Sequence, residues 1–192
     1  TPDFVSIKEN TDLGEIINLG FPMVIKPPNQ GSSIGVSIVR SEQTLRKAIE
    51  MAKHYGAEVM AEQYIEGPEY TVPVIRERPM PIVKIETDRD FYDYAAKYNS
   101  NSTRYICPSD LDENEIRKVS SIAVESYRAI GCEGWGRVDF IKDDQGDFQL
   151  IEINTVPGMT NHSLVPMSAK SVGIEFSQLV TEILADGLDK RG

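Results

Sequence analysis

The sequence is 192 residues long, enough for one well-filled core or two small lobes, and its 40% hydrophobic and 26% charged residues are ordinary for a globular protein. Asp and Glu number 30 against 20 Lys and Arg, a formal net charge of −10 that argues against a nucleic-acid partner. No apolar run approaches the roughly 20 residues of a membrane helix. The chain starts Thr1-Pro-Asp with neither an initiator Met nor a charged-then-apolar leader, so it reads as a protein entered midway. Cys107 and Cys132 share no metal-like spacing, and free thiols in a reducing cytoplasm are expected.

Phe21–Ile25 predicts a strand running into Lys26-Pro-Pro, and Val36–Val39 a second strand beyond a glycine-bearing loop. Ser41 is a candidate N-cap for a helix with Leu45, Ala48, Ile49 and Ala52 on its apolar face, ended by Gly56. Glu58–Tyr64, Tyr70–Ile75 and Pro81–Glu86 predict three strands. From 87 to 108 no period survives, and a loop of that length in a small domain points to a functional lid. Asp112 with Glu115 predicts a capping box, and Ile116, Val119, Ala123, Tyr127 and Ile130 the buried face of the helix it starts. Strands over Gly136–Lys142 and Phe148–Asn154 follow, joined by Asp143-Asp-Gln-Gly146. A last helix carries Phe176, Leu179, Val180, Ile183 and Leu184. Strands and helices mix without regular βαβ alternation, which predicts an α+β fold.

The chemistry concentrates on the hairpin. Arg137 and Asp139 share one face of their strand, as do Glu152 and Asn154 of theirs. Symmetrical closure about Gln145-Gly146 sets Asp139 opposite Glu152 and Arg137 opposite Asn154, about 5 Å apart, and leaves Val138, Phe140, Ile151 and Ile153 for the core. Two carboxylates and an amide so placed repel unless something cationic sits among them, and an all-oxygen set suits Mg²⁺. A solvated hairpin with cross-strand charge pairs fits the same pattern.

Lys26 leads into a loop of small residues, Gly31-Ser-Ser-Ile-Gly35, able to turn backbone N–H groups toward an anion. It lacks the Gly-Lys-Ser/Thr of a P-loop, and by itself fits a plain glycine hairpin as well. Lys97 is a second candidate phosphate contact. Glu62 and Glu69 flank a turn where surface carboxylates are common. His162 has no partner spacing that suggests a catalytic triad.

Together, Lys26-Pro…Gly31-Ser-Ser-Ile-Gly35, Glu66-Gly-Pro-Glu-Tyr-Thr71, Phe91-Tyr-Asp-Tyr-Ala-Ala-Lys-Tyr98, Gly134-Trp-Gly-Arg-Val-Asp139 and Glu152-Ile-Asn-Thr-Val-Pro-Gly-Met-Thr160 resemble the D-alanine–D-alanine ligases, a family of ATP-grasp enzymes. The resemblance runs from about Gly20 to Leu184. It implies a central lobe over 1–86, a mobile active-site loop over 87–108 and a C-terminal lobe over 109–192, with the site in the cleft between lobes. It implies that Lys26, Ser33 and Lys97 meet the phosphates of ATP, Glu62 the adenine amino group and Glu69 the ribose. Asp139, Glu152 and Asn154 would hold two Mg²⁺ ions, replaceable by Mn²⁺, with Glu152 bridging. Arg137 and the backbone at Gly158 would stabilise charge on the transferring phosphoryl group. Ser163 and Leu164 would position the second D-alanine, and Ser32 and Tyr98 would close the loop over the site.

The reaction implied is ATP-dependent joining of two D-alanines through a D-alanyl phosphate, for peptidoglycan. Family members carry a further N-terminal domain beside the first D-alanine, and full-length members form homodimers. Gln63 departs from the lysine common in relatives. A ligase for D-lactate or D-serine, and a non-catalytic nucleotide-binding fragment, are the alternative readings.

Overall fold

The computed structural model describes residues 1–31, 33–87 and 103–189. The chain forms two compact units, one built on Thr1–Glu66 and the other on Gly67–Glu86 and the residues from Arg104 onward. In the first unit, β1 (Phe4–Ile7), β2 (Met23–Lys26), β3 (Ser37–Val39) and β4 (Val59–Gln63) form an antiparallel sheet in the order β1-β4-β2-β3. Met23, Ile25, Val59 and Ala61 are buried with Leu45, Ala48, Ile49 and Ala52 of α2 (Glu42–Tyr55), the four positions its 3.6-residue period picks out. β1 and the five-residue α1 (Leu13–Ile17) escape the sequence reading, because each spans too few periods to show one.

The second unit holds β5 (Glu69–Ile75), β6 (Arg78–Pro79), β7 (Val83–Glu86), β8 (Arg104–Ile106), α3 (Glu113–Ala129), β9 (Trp135–Lys142), β10 (Phe148–Asn154), α4 (Leu164–Ser171) and α5 (Phe176–Asp189). Its sheet runs β10-β9-β5-β7-β8, with β6 added to β5. This differs from the expected lobe over 1–86, for β5 pairs with β9 at seven successive positions, from Glu69–Ile141 to Ile75–Trp135. That ladder satisfies the backbone of β5, and its Tyr70, Val72 and Val74 join Val138, Phe140 and Tyr127 in one core. The changeover falls at Gly67. A Cβ there would lie 1.9 Å from the Lys142 carbonyl oxygen, so the chain can turn into β5 only without a side chain.

The predicted capping box starts α3: Asp112 accepts from the Asn114 and Glu115 N–H groups, and Glu115 accepts from the Asp112 N–H. Val119, Ala123 and Tyr127 bury its face, whereas Ile116 and Ile130, at the two ends of the expected stripe, stay exposed. Ile130 is the C-cap and has already left the helical path. α4 and α5 enclose a smaller core of Ile75, Val165, Ala169 and Leu179. Of the face expected on α5, Phe176 and Leu184 are exposed. No helix among the described residues is long and apolar enough to cross a membrane.

Gly136 ties the core to the β9–β10 hairpin. A Cβ there would come 2.6 Å from the Tyr127 ring and 2.9 Å from the Asn154 carbonyl oxygen. Gly136→Ala is expected to cost about 1–3 kcal/mol through overpacking. Gly187→Ala, in open space inside α5, is expected to add up to about 1 kcal/mol from helix propensity. Urea denaturation of both variants measures the contrast.

A candidate metal and nucleotide site

The β9–β10 turn is held by Asp143, whose carboxylate accepts from the Gln145 and Asp147 N–H groups and from the Gln149 amide. Those bonds keep its pKa below the usual carboxylate range, with Gln149 the largest contributor. Gly146 supplies the positive φ, +87°. From this turn the strands pair Phe148–Lys142, Gln149–Ile141 and Leu150–Phe140, then skip a residue to pair Glu152–Asp139, Ile153–Val138 and Asn154–Arg137. The cross-strand partners expected from sequence are therefore present, but a β-bulge at Ile151 creates them. A regular ladder continued from the turn would set Ile151 against Asp139 and Glu152 against Val138. Accordingly Leu150 and Ile153, and not Ile151, pack against the core.

Asp139 is the hub of the exposed face. Arg137 grips it with two bonds, Nε to Oδ1 at 2.8 Å and Nη2 to Oδ2 at 2.7 Å. The Thr71 hydroxyl donates to Oδ1 at 2.5 Å, and the Asn154 amide nitrogen donates to Oδ2 at 3.0 Å and to Glu152 Oε1 at 3.0 Å. The repulsion expected between the carboxylates is thus answered within the protein, by a guanidinium on one and a shared N–H₂ group between both. Thr71 was missed in the sequence because its place opposite Asp139 follows from the β5–β9 register, which no short-range pattern announces.

Among the described residues no three His, Cys, Asp or Glu side chains gather into a metal-binding group. The candidate set is two carboxylates and one amide, all oxygen donors, half-buried to exposed, which suits Mg²⁺ or Mn²⁺ with water and phosphate completing the shell. Among the described residues Asp139 accepts from the Thr71 hydroxyl, twice from Arg137 and once from the Asn154 amide. A cation fits this set most simply with the Asn154 amide turned over. That single rotation frees a position on Oδ2 and one on Glu152, and presents the amide oxygen instead of its N–H₂ end.

Beyond β10, Gly158 approaches Ser163, whose Oγ would lie 3.1 Å from a Cβ at that glycine. Ser163 is the N-cap of α4, yet its hydroxyl accepts from the Thr160 N–H at 2.9 Å and leaves its own helix uncapped. The first-turn N–H groups of Leu164 and Val165 thus lie at a helix start next to Gly158, with Pro166 adding none. Glu69 opens β5 on the same face as Thr71, two residues away.

In the first unit Lys26 and Glu62 meet, Nζ to Oε2 at 2.5 Å, with side chains 18% and 7% exposed. The loop after Lys26 makes two successive turns, Ile34 N–H to Gly31 O and Val36 N–H to Ser33 O, with positive φ at Ser33 and Gly35. Ser32, Lys97 and Tyr98 lie outside the described residues.

The sequence profile of the D-ala D-ala ligase C-terminus matches residues 2–185. A D-alanine–D-alanine ligase of Saccharophagus degradans is 49% identical over 189 residues, 98% of this chain and 60% of the relative. The crystal structure of the Bacillus anthracis D-alanine–D-alanine ligase matches with a TM-score of 0.88 at 36% identity, covering 100% of this chain and 63% of that one. Its complex with ATP gives 0.85 at 35% identity, over 100% of this chain and 62% of that one. The VanG D-Ala:D-Ser ligase from Enterococcus faecalis gives 0.85 at 34%, over 96% and 56%. The sheets, the hairpin and these likenesses define an α+β protein of the ATP-grasp class. It belongs to the D-alanine–D-alanine ligase family and matches that family's C-terminal part, spanning 60% of the Saccharophagus relative's length.

The Arg137–Asp139 pair is expected to behave as one unit. Its side chains are 11% and 21% exposed, so each single replacement, Arg137→Ala or Asp139→Asn, strands a partner. The double variant is expected to lose less stability than the sum, by about 0.5–3 kcal/mol in a denaturation double-mutant cycle.

Proposed function

We propose that this chain carries the nucleotide- and metal-holding part of a ligase that joins two D-alanines at the expense of ATP, through a D-alanyl phosphate. The observation that supports it most is the convergence of Arg137, Asp139, Glu152 and Asn154 on one face, in a chain 49% identical to a D-alanine–D-alanine ligase. Asp139, Glu152 and, after its amide turns, Asn154 would hold the two Mg²⁺ or Mn²⁺ ions. The chemistry such a cation would supply there is positive charge against the transferring phosphoryl group.

The protein's own groups do the rest. Lys26, Ser33 and the Ser32 and Lys97 positions hold phosphates, while Glu62 accepts from the adenine amino group and Glu69 from the ribose. Arg137, its plane fixed by Asp139, and the Gly158 N–H would stabilise negative charge on the transferring phosphoryl group and on the oxyanion of the tetrahedral intermediate from which phosphate leaves. Ser163 and the start of α4 at Leu164 would hold the carboxylate of the second D-alanine, since a helix start favours an anion. Ser32 and Tyr98 would close the site. The dipeptide serves peptidoglycan synthesis in the cytoplasm. The first D-alanine's pocket is assigned to the N-terminal domain that the resemblance implies, and the full-length ligase to a homodimer. For the D-serine reading the support is a solved relative at 34% identity, against a D-alanine–D-alanine ligase at 49%.

Mg·ADP at about 100 times its Kd is expected to stabilise the chain by about 2.7 kcal/mol, through mass action on the native state. Glu152→Gln should remove the Mg²⁺-dependent part of the resulting rise in melting temperature. A thermal-shift titration in which Mg·ADP does no more than Mg·phosphate would sink the nucleotide reading.

With ATP, Mg²⁺ and D-alanine, the 192-residue chain is expected to release phosphate slowly and to form almost no dipeptide. Correct positioning of the first substrate is worth about 7–11 kcal/mol of barrier. Dipeptide appearing at about one per second or faster, an ordinary turnover, would place that pocket within this chain.

A further inference from the structure

Thr71 has no part in the reading above, yet its side chain is fully buried on β5 directly opposite Asp139. On its other side it faces Val83, also fully buried. A hydroxyl at such a place needs a partner, and Thr71 takes Asp139 Oδ1 at 2.5 Å, the short end for a hydroxyl on a carboxylate. The two oxygens of Asp139 are thereby unequal. Oδ1 holds Thr71 and Arg137 Nε, while Oδ2 holds Arg137 Nη2 and shares the Asn154 amide with Glu152.

Arg137 alone does not set that choice, because its long side chain can follow the carboxylate as it turns. Thr71 differs. Its χ1 is stiffened by β-branching, and its backbone belongs to the neighbouring strand of the ladder. We infer that Thr71 is a positioning residue, which pins Oδ1 so that Oδ2 is the atom of Asp139 presented to a cation beside Glu152. The inference rests on the proposal that Asp139 and Glu152 hold a divalent cation.

The test is Mn²⁺ affinity in the presence of ADP, read from the electron paramagnetic resonance of free Mn²⁺, together with the melting temperature. Thr71→Val keeps the shape and removes the donor. It is expected to weaken Mn²⁺ by about 10- to 100-fold, the usual effect of losing a group that orients a metal ligand. Thr71→Ser keeps the donor and loses a methyl, and is expected to restore Mn²⁺ affinity to within about threefold of wild type. A merely structural role predicts the reverse order, since serine packs worse than valine. Thr71→Val binding Mn²⁺ as wild type does, or Thr71→Ser failing to restore it, would overturn the inference. If Thr71→Val loses its melting transition, Thr71→Ala replaces it with the same expectations. Asp139→Asn separates the two levels. If it leaves Mn²⁺ affinity unchanged, the metal reading itself has failed and the inference falls with it. If it abolishes binding while Thr71→Val does not, only the role of Thr71 is refuted.

Discussion

The candidate site depends on where β9 sits: between β5 and β10, so that Asp139 has a strand on each side. One neighbour brings Thr71, the other brings Glu152 and Asn154, and its own strand brings Arg137. A carboxylate on a sheet edge would draw partners from one side and water from the other. Here both ladders must be in register before the side chain finds its bonds. The site is therefore a property of the sheet, with the core beneath it (Val138, Phe140, Tyr127) holding the register from the opposite face.

The same economy of charge appears in the first unit. The chain carries a surplus of ten negative charges, yet Lys26, a lysine proposed for a phosphate, is engaged by the buried Glu62. Burying a carboxylate alone is costly, and pairing it with Lys26 offsets part of that cost. Nucleotide binding at Lys26 would thus exchange one ion pair for another. Its affinity would report the difference between a carboxylate and a phosphate partner, and not the full attraction of a free ammonium group.

Much of this was legible in the sequence because it is local. The α2 face, the Asp112–Glu115 box and the two strands of the hairpin are each short-range, and the face shared by Arg137, Asp139, Glu152 and Asn154 needs only one hairpin to appear. What escaped was long-range or short. The assignment of β5 to the second sheet rests on pairing across more than sixty residues, and Thr71 could be recognised only through it. β1 and α1 are too brief to show a period. The expected core place of Ile151 failed because a bulge is invisible to strict alternation, even though the pairing it secures was read correctly.

That bulge has a consequence for how the hairpin tolerates change in length. Ordinarily, losing one residue from a strand throws every later side chain onto the opposite face. In Leu150-Ile151-Glu152-Ile153-Asn154 the extra residue is Ile151 itself, so removing it leaves an unbroken alternation with Glu152 still facing Asp139. The strand carries a built-in allowance for a single-codon deletion, at the one place where a shift of phase would otherwise erase its chemistry. Elsewhere in the β9–β10 ladder no such bulge exists, and a change of length would be absorbed only in the turn around Gly146.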